Sequence, residues 1–238
     1  MEPPRTAEYD KTIAMFSPEG RIFQVEYSKN AVRRGAPALG IRAKDGAVLA
    51  GVKRRHDRLL EDYDKIVMID EHIGAVGAGY MSDSRVLMDA ARNIAQRYRL
   101  TYGEKIKLEF LARRLSSIMQ QYTQFGGTRP FGCALIFGGV DAEGAKLMLI
   151  DTSGAAISYM ATAIGENEDK ATEYLKEKYR RDMSTNEAIR LAMQTLIKIT
   201  DKLSPDQVEI AVIEEKKERL RKLTPGEVEK IWREASTV

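Results

Sequence analysis

A chain of 238 residues, 43% hydrophobic, is long enough to bury one sizeable core and reads as a single domain. Its 38 basic and 35 acidic residues leave +3 with the signs mixed along the chain; nucleic-acid binders gather positive charge on one face or tail, so no nucleic-acid partner is expected. No apolar run reaches the roughly 20 residues that cross a bilayer, and no charged-then-apolar leader opens the chain, so a cytoplasmic protein without a membrane partner is expected.

The first predicted element lies in a tract too polar for a leader and too particular for a random tail, YDKTIAMFSPEGRIFQVEY at 9–27. Within it, Ser17-Pro18-Glu19-Gly20 has proline and glycine where a type I turn takes them. A helix is predicted over 21–34, with Ile22, Val25, Lys29 and Val32 near one face and Gly35 as its stop. ALGIRA and AVLAGVK then read as strands joined by a tight Asp45-Gly46 turn, and KIVMID and IGAVGAG as a second pair.

The middle of the chain is helical. Val86, Leu87, Ala90, Ala91, Ile94, Ala95 and Tyr98 form one apolar stripe, and Leu108, Leu111, Ala112, Leu115, Ile118, Met119 and Tyr122 a second, closed by Gly126-Gly127. Strands return in FGCALIFGGV, KLMLID and AISYMATAIG. Helices follow near 168–180 and 185–202, the second opened by a Ser184-x-x-Glu187 capping box. VEIAVI is a last strand, and Thr224, Pro225 and Glu227 announce a last helix. Strands in hairpins and helices in pairs predict an α+β fold with antiparallel sheets under helix layers.

Several candidate chemistries carry little. Lys53-Arg54-Arg55 and the basic stretch at 216–222 read as solvated surface. Cys133, the single cysteine, sits in an apolar run and reads as a small core residue. His56 and His72 have no partner at metal-ligand spacing, so neither a metal nor a cofactor is expected. GAGYMS at 77–82 has the place of a dinucleotide loop but lacks the third glycine and the βαβ setting, and reads as a tight strand-to-helix turn. An N-terminal Thr, Ser or Cys could act as nucleophile with its own amine as base. Freeing one commonly follows a glycine, and the only Gly-Thr pair, Gly127-Thr128, lies deep in the chain.

FSPEGRIFQVEY at 16–27 resembles, almost residue for residue, the hallmark of α-type subunits of the 20S proteasome core particle, in particular the archaeal form. The similarity continues through YDKIVMID, GAGYMSDSRVL, QQYTQFGGTRPFG and YMATAIG and spans essentially the whole chain. The resemblance implies a four-layer αββα sandwich of the N-terminal-nucleophile hydrolase type, two antiparallel sheets between helix layers. It divides the chain into a gate segment and ring-contact helix at 1–35 and a sandwich at 36–238. It also implies a non-catalytic subunit of a homo-heptameric ring that caps the proteolytic β subunits, gates access for unfolded protein substrates and docks activator ATPase rings through their C-terminal tails.

Carried over by position, the gate residues are Tyr9, Asp10, Lys11, Pro18 and Tyr27. Pro18 fixes a turn, the phenols can stack and hydrogen-bond, and Asp10 is a strong acceptor for them. The family usually has Arg where this chain has Lys11, and lysine cannot make planar bidentate contacts. An N-terminal arm that is merely ordered is the alternative reading. Lys65 matches a pocket lysine that receives a tail carboxylate, with Gly79 lining the same pocket, and Phe125, Gly126 and Gly127 match a constriction loop inside the ring. The family more often has Tyr at the position of Phe125. Two other classes stay open: a stand-alone amidase of the same fold, which requires a cleaved N-terminus, and a nucleotide-binding protein, which requires GAGYMS to hold phosphates.

Overall fold

The computed structural model of the protein describes residues 15–54, 59 and 61–236. The Ser17–Gly20 turn forms as its residue types dictate: Gly20 N–H donates to the Ser17 carbonyl at 2.8 Å, and Gly20 takes φ 75°. Helix α1 (Phe23–Arg33) follows, burying Val25, Ser28 and Val32 at helical spacing while Lys29 points to solvent.

Two five-stranded sheets form the centre, and every pairing within them is antiparallel. The hairpin β1 (Ala38–Ala43) and β2 (Gly46–Val52) belongs to the first sheet. The second begins with β3 (Ile66–Asp70) and β4 (Ile73–Gly79) and takes β5 (Cys133–Asp141) and β6 (Gly144–Ile150) after two helices. Those helices, α2 (Met81–Tyr102) and α3 (Leu108–Gln121), bury Leu87, Ala91, Leu111 and Leu115 against this second sheet. The stripe at 86–98 is narrower than predicted, since Val86 faces outward. Gly103, at φ 74°, ends α2 in the left-handed cap that glycine adopts without steric cost. Helix α3 stops at Gln121, ahead of the glycines predicted to end it.

AISYMATAIG is two strands, not one. β7 (Ala156–Ser158) closes the second sheet beside β6, whereas β8 (Ala161–Ile164) joins β1 at the edge of the first. A crossing between layers leaves no mark on apolar periodicity. Helices α4 (Glu168–Lys178) and α5 (Thr185–Ile199) cover the first sheet, and the Ser184–Glu187 capping box opens α5 as predicted. β9 (Val208–Glu214) pairs with β2 in the middle of that sheet. β10 (Arg219–Lys222) is an edge strand that the sequence hid among charges; Leu220 and Lys222 turn inward, Leu220 against Gly74 and Lys222 toward Glu209. Helix α6 (Pro225–Ser236) starts from Thr224, whose N–H donates to the Glu227 carboxylate at 2.8 Å.

The order is therefore helix, sheet, sheet, helix. Leu49, Ile66, Val76, Ile136, Leu147 and Ala211 fill the space between the sheets, each large side chain adding about 1.5–3 kcal/mol by leaving water. The sheets approach closely where Gly40 faces Leu147 and Ile136, whose methyl groups occupy the room of a Cβ. Among the described residues no helix is long and apolar enough to cross a membrane.

Candidate functional site

The end of α1, the approach to β3 and the β4–α2 junction enclose a cleft of about 690 Å³. Each wall follows from local chemistry. Gly35 N–H closes α1 on the Val32 carbonyl at 2.8 Å, and Ala36-Pro37 leads away into β1. β4 ends at Gly79 with φ 109°, a backbone conformation that side chains rarely adopt. Tyr80 N–H then donates to the Gly132 carbonyl at 2.9 Å, and α2 begins with no side-chain cap from Tyr80. The junction thus presents the electropositive start of a long helix to the cleft.

Lys65 and Gly79 both line this cleft, so two residues chosen from sequence meet in one place. The Lys65 stem crosses Gly51, and its ammonium donates to the Ala36 carbonyl at 3.3 Å. Loss of water on burial pushes the Lys65 pKa down to about 8; Arg54 pushes the same way and Glu209 opposes it. Arg34, Arg54, Arg85 and Arg92 also line the walls, against the acidic Asp64 and Asp89, while Val67, Met81 and Met88 give an apolar side. The cleft can therefore take an anionic group whose neighbours are apolar.

Arg54 carries structure as well as charge. It donates to the Arg34 carbonyl at 3.0 Å and is ion-paired with Glu166. Lys53 corrects the expectation of a solvated basic cluster: its side chain is largely buried, with Nζ 2.8 Å from Asp62 and 3.6 Å from Glu209. An ammonium so enclosed requires carboxylate partners. Arg55 and His56 lie outside the described residues.

The loop with Phe125, Gly126 and Gly127 stands apart from the cleft. Phe125 is exposed, Gly127 takes φ 86°, and the Thr128 hydroxyl donates to the Phe125 carbonyl at 2.9 Å. Both ends of the loop are clamped. Tyr122 lies 4.6 Å from Phe131, ring to ring, and Arg129 forks onto Asp83 with contacts of 2.6 and 2.8 Å. Asp83 also accepts from Gly132 N–H at 2.8 Å. The Arg129 hydrogen bond, foremost, holds the Asp83 carboxyl below its usual range. Since Asp83 sits in the first turn of α2, one ion pair ties the loop to the helix start beside the cleft. Both motifs stand out in the sequence, but nothing local marks a contact between residues so far apart.

Pro18 occupies the turn before α1, and Tyr27 stands on the outer side of α1, its ring 6.5 Å from Phe23. Tyr9, Asp10 and Lys11 lie outside the described residues. His72 is fully buried with Nε2 2.8 Å from the Ile106 carbonyl, and among the described residues no cluster of His, Cys, Asp or Glu could hold a metal ion. Cys133 pairs across the strands with Gly79, and burial pushes its thiol up to about 12, which makes it a core residue and a poor nucleophile. GAGYMS forms the junction between antiparallel β4 and α2, outside any βαβ unit.

The proteasome subunit family matches residues 32–213, and the N-terminal signature of the A type of proteasome subunits matches residues 9–31. Among curated relatives, the proteasome alpha subunit of Thermococcus sibiricus is 47% identical over 98% of this chain and 90% of its own length. Proteins of the same name are each 46% identical in Methanothermobacter thermautotrophicus, over 96% of this chain and 93% of theirs, and in Pyrobaculum aerophilum, over 96% and 95%.

Proposed function

The chain belongs to the proteasome α-subunit family, and from that premise we propose that it forms the outer ring of a cytoplasmic 20S-type protease core without cleaving peptide bonds itself. Seven copies close the ring and seat it on β subunits that carry the nucleophile. Residues 1–35 supply the gate segment and a ring-contact helix, and residues 36–238 the sandwich. Tyr9, Asp10, Lys11, Pro18 and Tyr27 form the gate, Phe125, Gly126 and Gly127 narrow the axial channel, and unfolded protein passes through both. The cleft with Lys65 and Gly79 docks the C-terminal tails of activator ATPase rings.

The observation that most supports an α rather than a β role is the match of residues 9–31 to a signature specific to that type. The cleft favours tail docking because it joins a largely desolvated ammonium and a helix start to an apolar wall. The experiment is native mass spectrometry of the pure chain, with and without its matching β subunit, together with a fluorogenic peptide assay. Rings of seven or stacked pairs of them, inactive alone and active with β, are expected. A stable monomer at micromolar concentration, or hydrolysis by the pure chain, overturns the proposal.

A further inference from the structure

Glu209 is an acidic residue at the second position of β9, followed by four apolar residues in the middle of the first sheet, and it is buried. Its carboxylate reaches across to the second sheet. There it accepts the backbone N–H of Lys65 at 3.2 Å on one oxygen and that of Ile66 at 3.1 Å on the other. Two ammonium groups approach the same oxygens, Lys222 at 2.8 Å and Lys53 at 3.6 Å. Each is tied in turn to the segment ahead of β3, Lys222 to Asp64 at 2.6 Å and Lys53 to Asp62 at 2.8 Å. Glu209 also stands in register with Gly51, the residue over which the Lys65 stem lies, 2.9 Å from the place of a Cβ.

We infer that Glu209 is the positioning residue of the cleft: from the first sheet it pins the start of β3 in the second and so fixes where the Lys65 ammonium stands. This rests on the reading of Lys65 as the anchor for a tail carboxylate. Two N–H donors held by one carboxylate define position and direction at once, which a single bond does not. The bare alternative is a buried carboxylate that only stabilises the fold.

Charge separates the two. Lys65 faces Arg34 at the end of α1, Arg54 after β2, and Arg85, Asp89 and Arg92 on α2. Tyr63 and Asp64 face it from its own approach, and Glu209 from β9. Desolvation and Arg54 disfavour the charged amine, and Glu209 favours it. Removing the Glu209 charge therefore lowers the pH at which Lys65 loses its proton. Removing the Lys222 charge leaves Glu209 less neutralised and raises that pH. A purely structural perturbation has no reason to give opposite signs.

In the assembled ring, acylation of Lys65 by a small N-hydroxysuccinimide ester, followed against pH by peptide mass spectrometry, reads the amine directly. The wild-type midpoint is expected near about 8, lower in Glu209→Gln and higher in Lys222→Met. A short fluorescent peptide ending in a free carboxylate should bind Glu209→Gln several-fold more weakly than wild type at neutral pH. Unchanged midpoints, or shifts in the same direction, overturn the inference. If Glu209→Gln fails to assemble, the sign of the Lys222→Met shift alone decides, and a midpoint that stays or falls overturns it. If the midpoints move as expected but the peptide ignores even the wild-type ring, tail docking is wrong and the positioning role stands.

Discussion

Gly35 and Gly79 meet backbone to backbone: a Cβ on Gly35 would collide with the Gly79 nitrogen and lie 3.0 Å from its Cα. The contact joins the end of α1 to the end of β4, and it sets the width of the cleft beside Lys65. Gly79 is constrained a second time, because its own Cβ would collide with the Gly132 carbonyl oxygen and lie 2.9 Å from the Cys133 Cα.

The two glycines should therefore fail differently. Gly79→Ala combines a strained φ, costing roughly 1–3 kcal/mol, with a backbone clash of about the same size. Gly35→Ala has the clash alone and can relieve it by sliding α1. Thermal melts of the assembled ring should fall for both variants, and further for Gly79→Ala. Equal melts would show that positive φ is not what fixes glycine there.

Much of this was legible beforehand, for identifiable reasons. The Ser17–Gly20 turn and the Ser184–Glu187 box rest on contacts within a few residues, and both formed as expected. Family resemblance alone joins Lys65 to Gly79 in the sequence, and both residues line one cleft in the fold. What escaped was long-range. The break of 156–164 into strands of different sheets depends on which neighbour each half finds, and β10 survives among charges only because β9 pairs with it. Lys53 reads as surface within its basic triplet because the carboxylates that enclose it, Asp62 and Glu209, come from outside that triplet. Glu209 did leave a signal, a charge inside VEIAVI, which marks a buried partner rather than a solvated side chain.

The Asp83–Arg129 pair holds one end of the Phe125 loop, and its loss should be felt there first. Asp83 is largely buried and Arg129 is mostly exposed, so solvent screens part of the attraction. Asp83→Ala also strands the Gly132 N–H, for a total of roughly 1–3 kcal/mol. Because the folded carboxyl titrates below its usual range, the contribution is complete above about pH 4 and is lost as pH falls through the folded value. Hydrogen exchange at 122–132 should rise in Asp83→Ala at neutral pH, and in wild type only in acid. Protection that is the same in both proteins at neutral pH would remove the pair from this role.

Gating makes a kinetic prediction. If residues 1–12 obstruct the axis, deleting them should raise peptide hydrolysis by the particle assembled with β subunits and leave the β active sites as they were. Active-site labelling provides the control. Tyr9→Gly and Asp10→Ala should act in the other direction, weakening activator-stimulated hydrolysis by loosening an open arrangement of tails. A truncated particle no faster than wild type would mean that passage is limited elsewhere, the Phe125 loop being the next place to look.

Lys65 gives the test with a defined pH signature. Its amine titrates at about 8, chiefly because burial disfavours the ammonium. A docked carboxylate favours the ammonium and raises that value, so binding takes up a proton wherever the free amine is neutral. The tail carboxylate is ionised above about pH 4. Affinity for a tail peptide should therefore be fullest between these limits and fall as pH rises through about 8. Removing one partner of such a pair costs about 2–5 kcal/mol, and tails docked around one ring multiply the loss by sharing their effective concentration. Lys65→Ala should nearly abolish binding and flatten its pH dependence, with rings still intact by native mass. Lys65→Arg keeps the charge beyond pH 8 but replaces a compact ammonium with a wider planar fork, so its affinity should be low and independent of pH in this range. Fluorescence anisotropy from neutral to mildly alkaline pH reads all three proteins, and an alkaline fall that persists in Lys65→Ala would assign the titrating group to another residue.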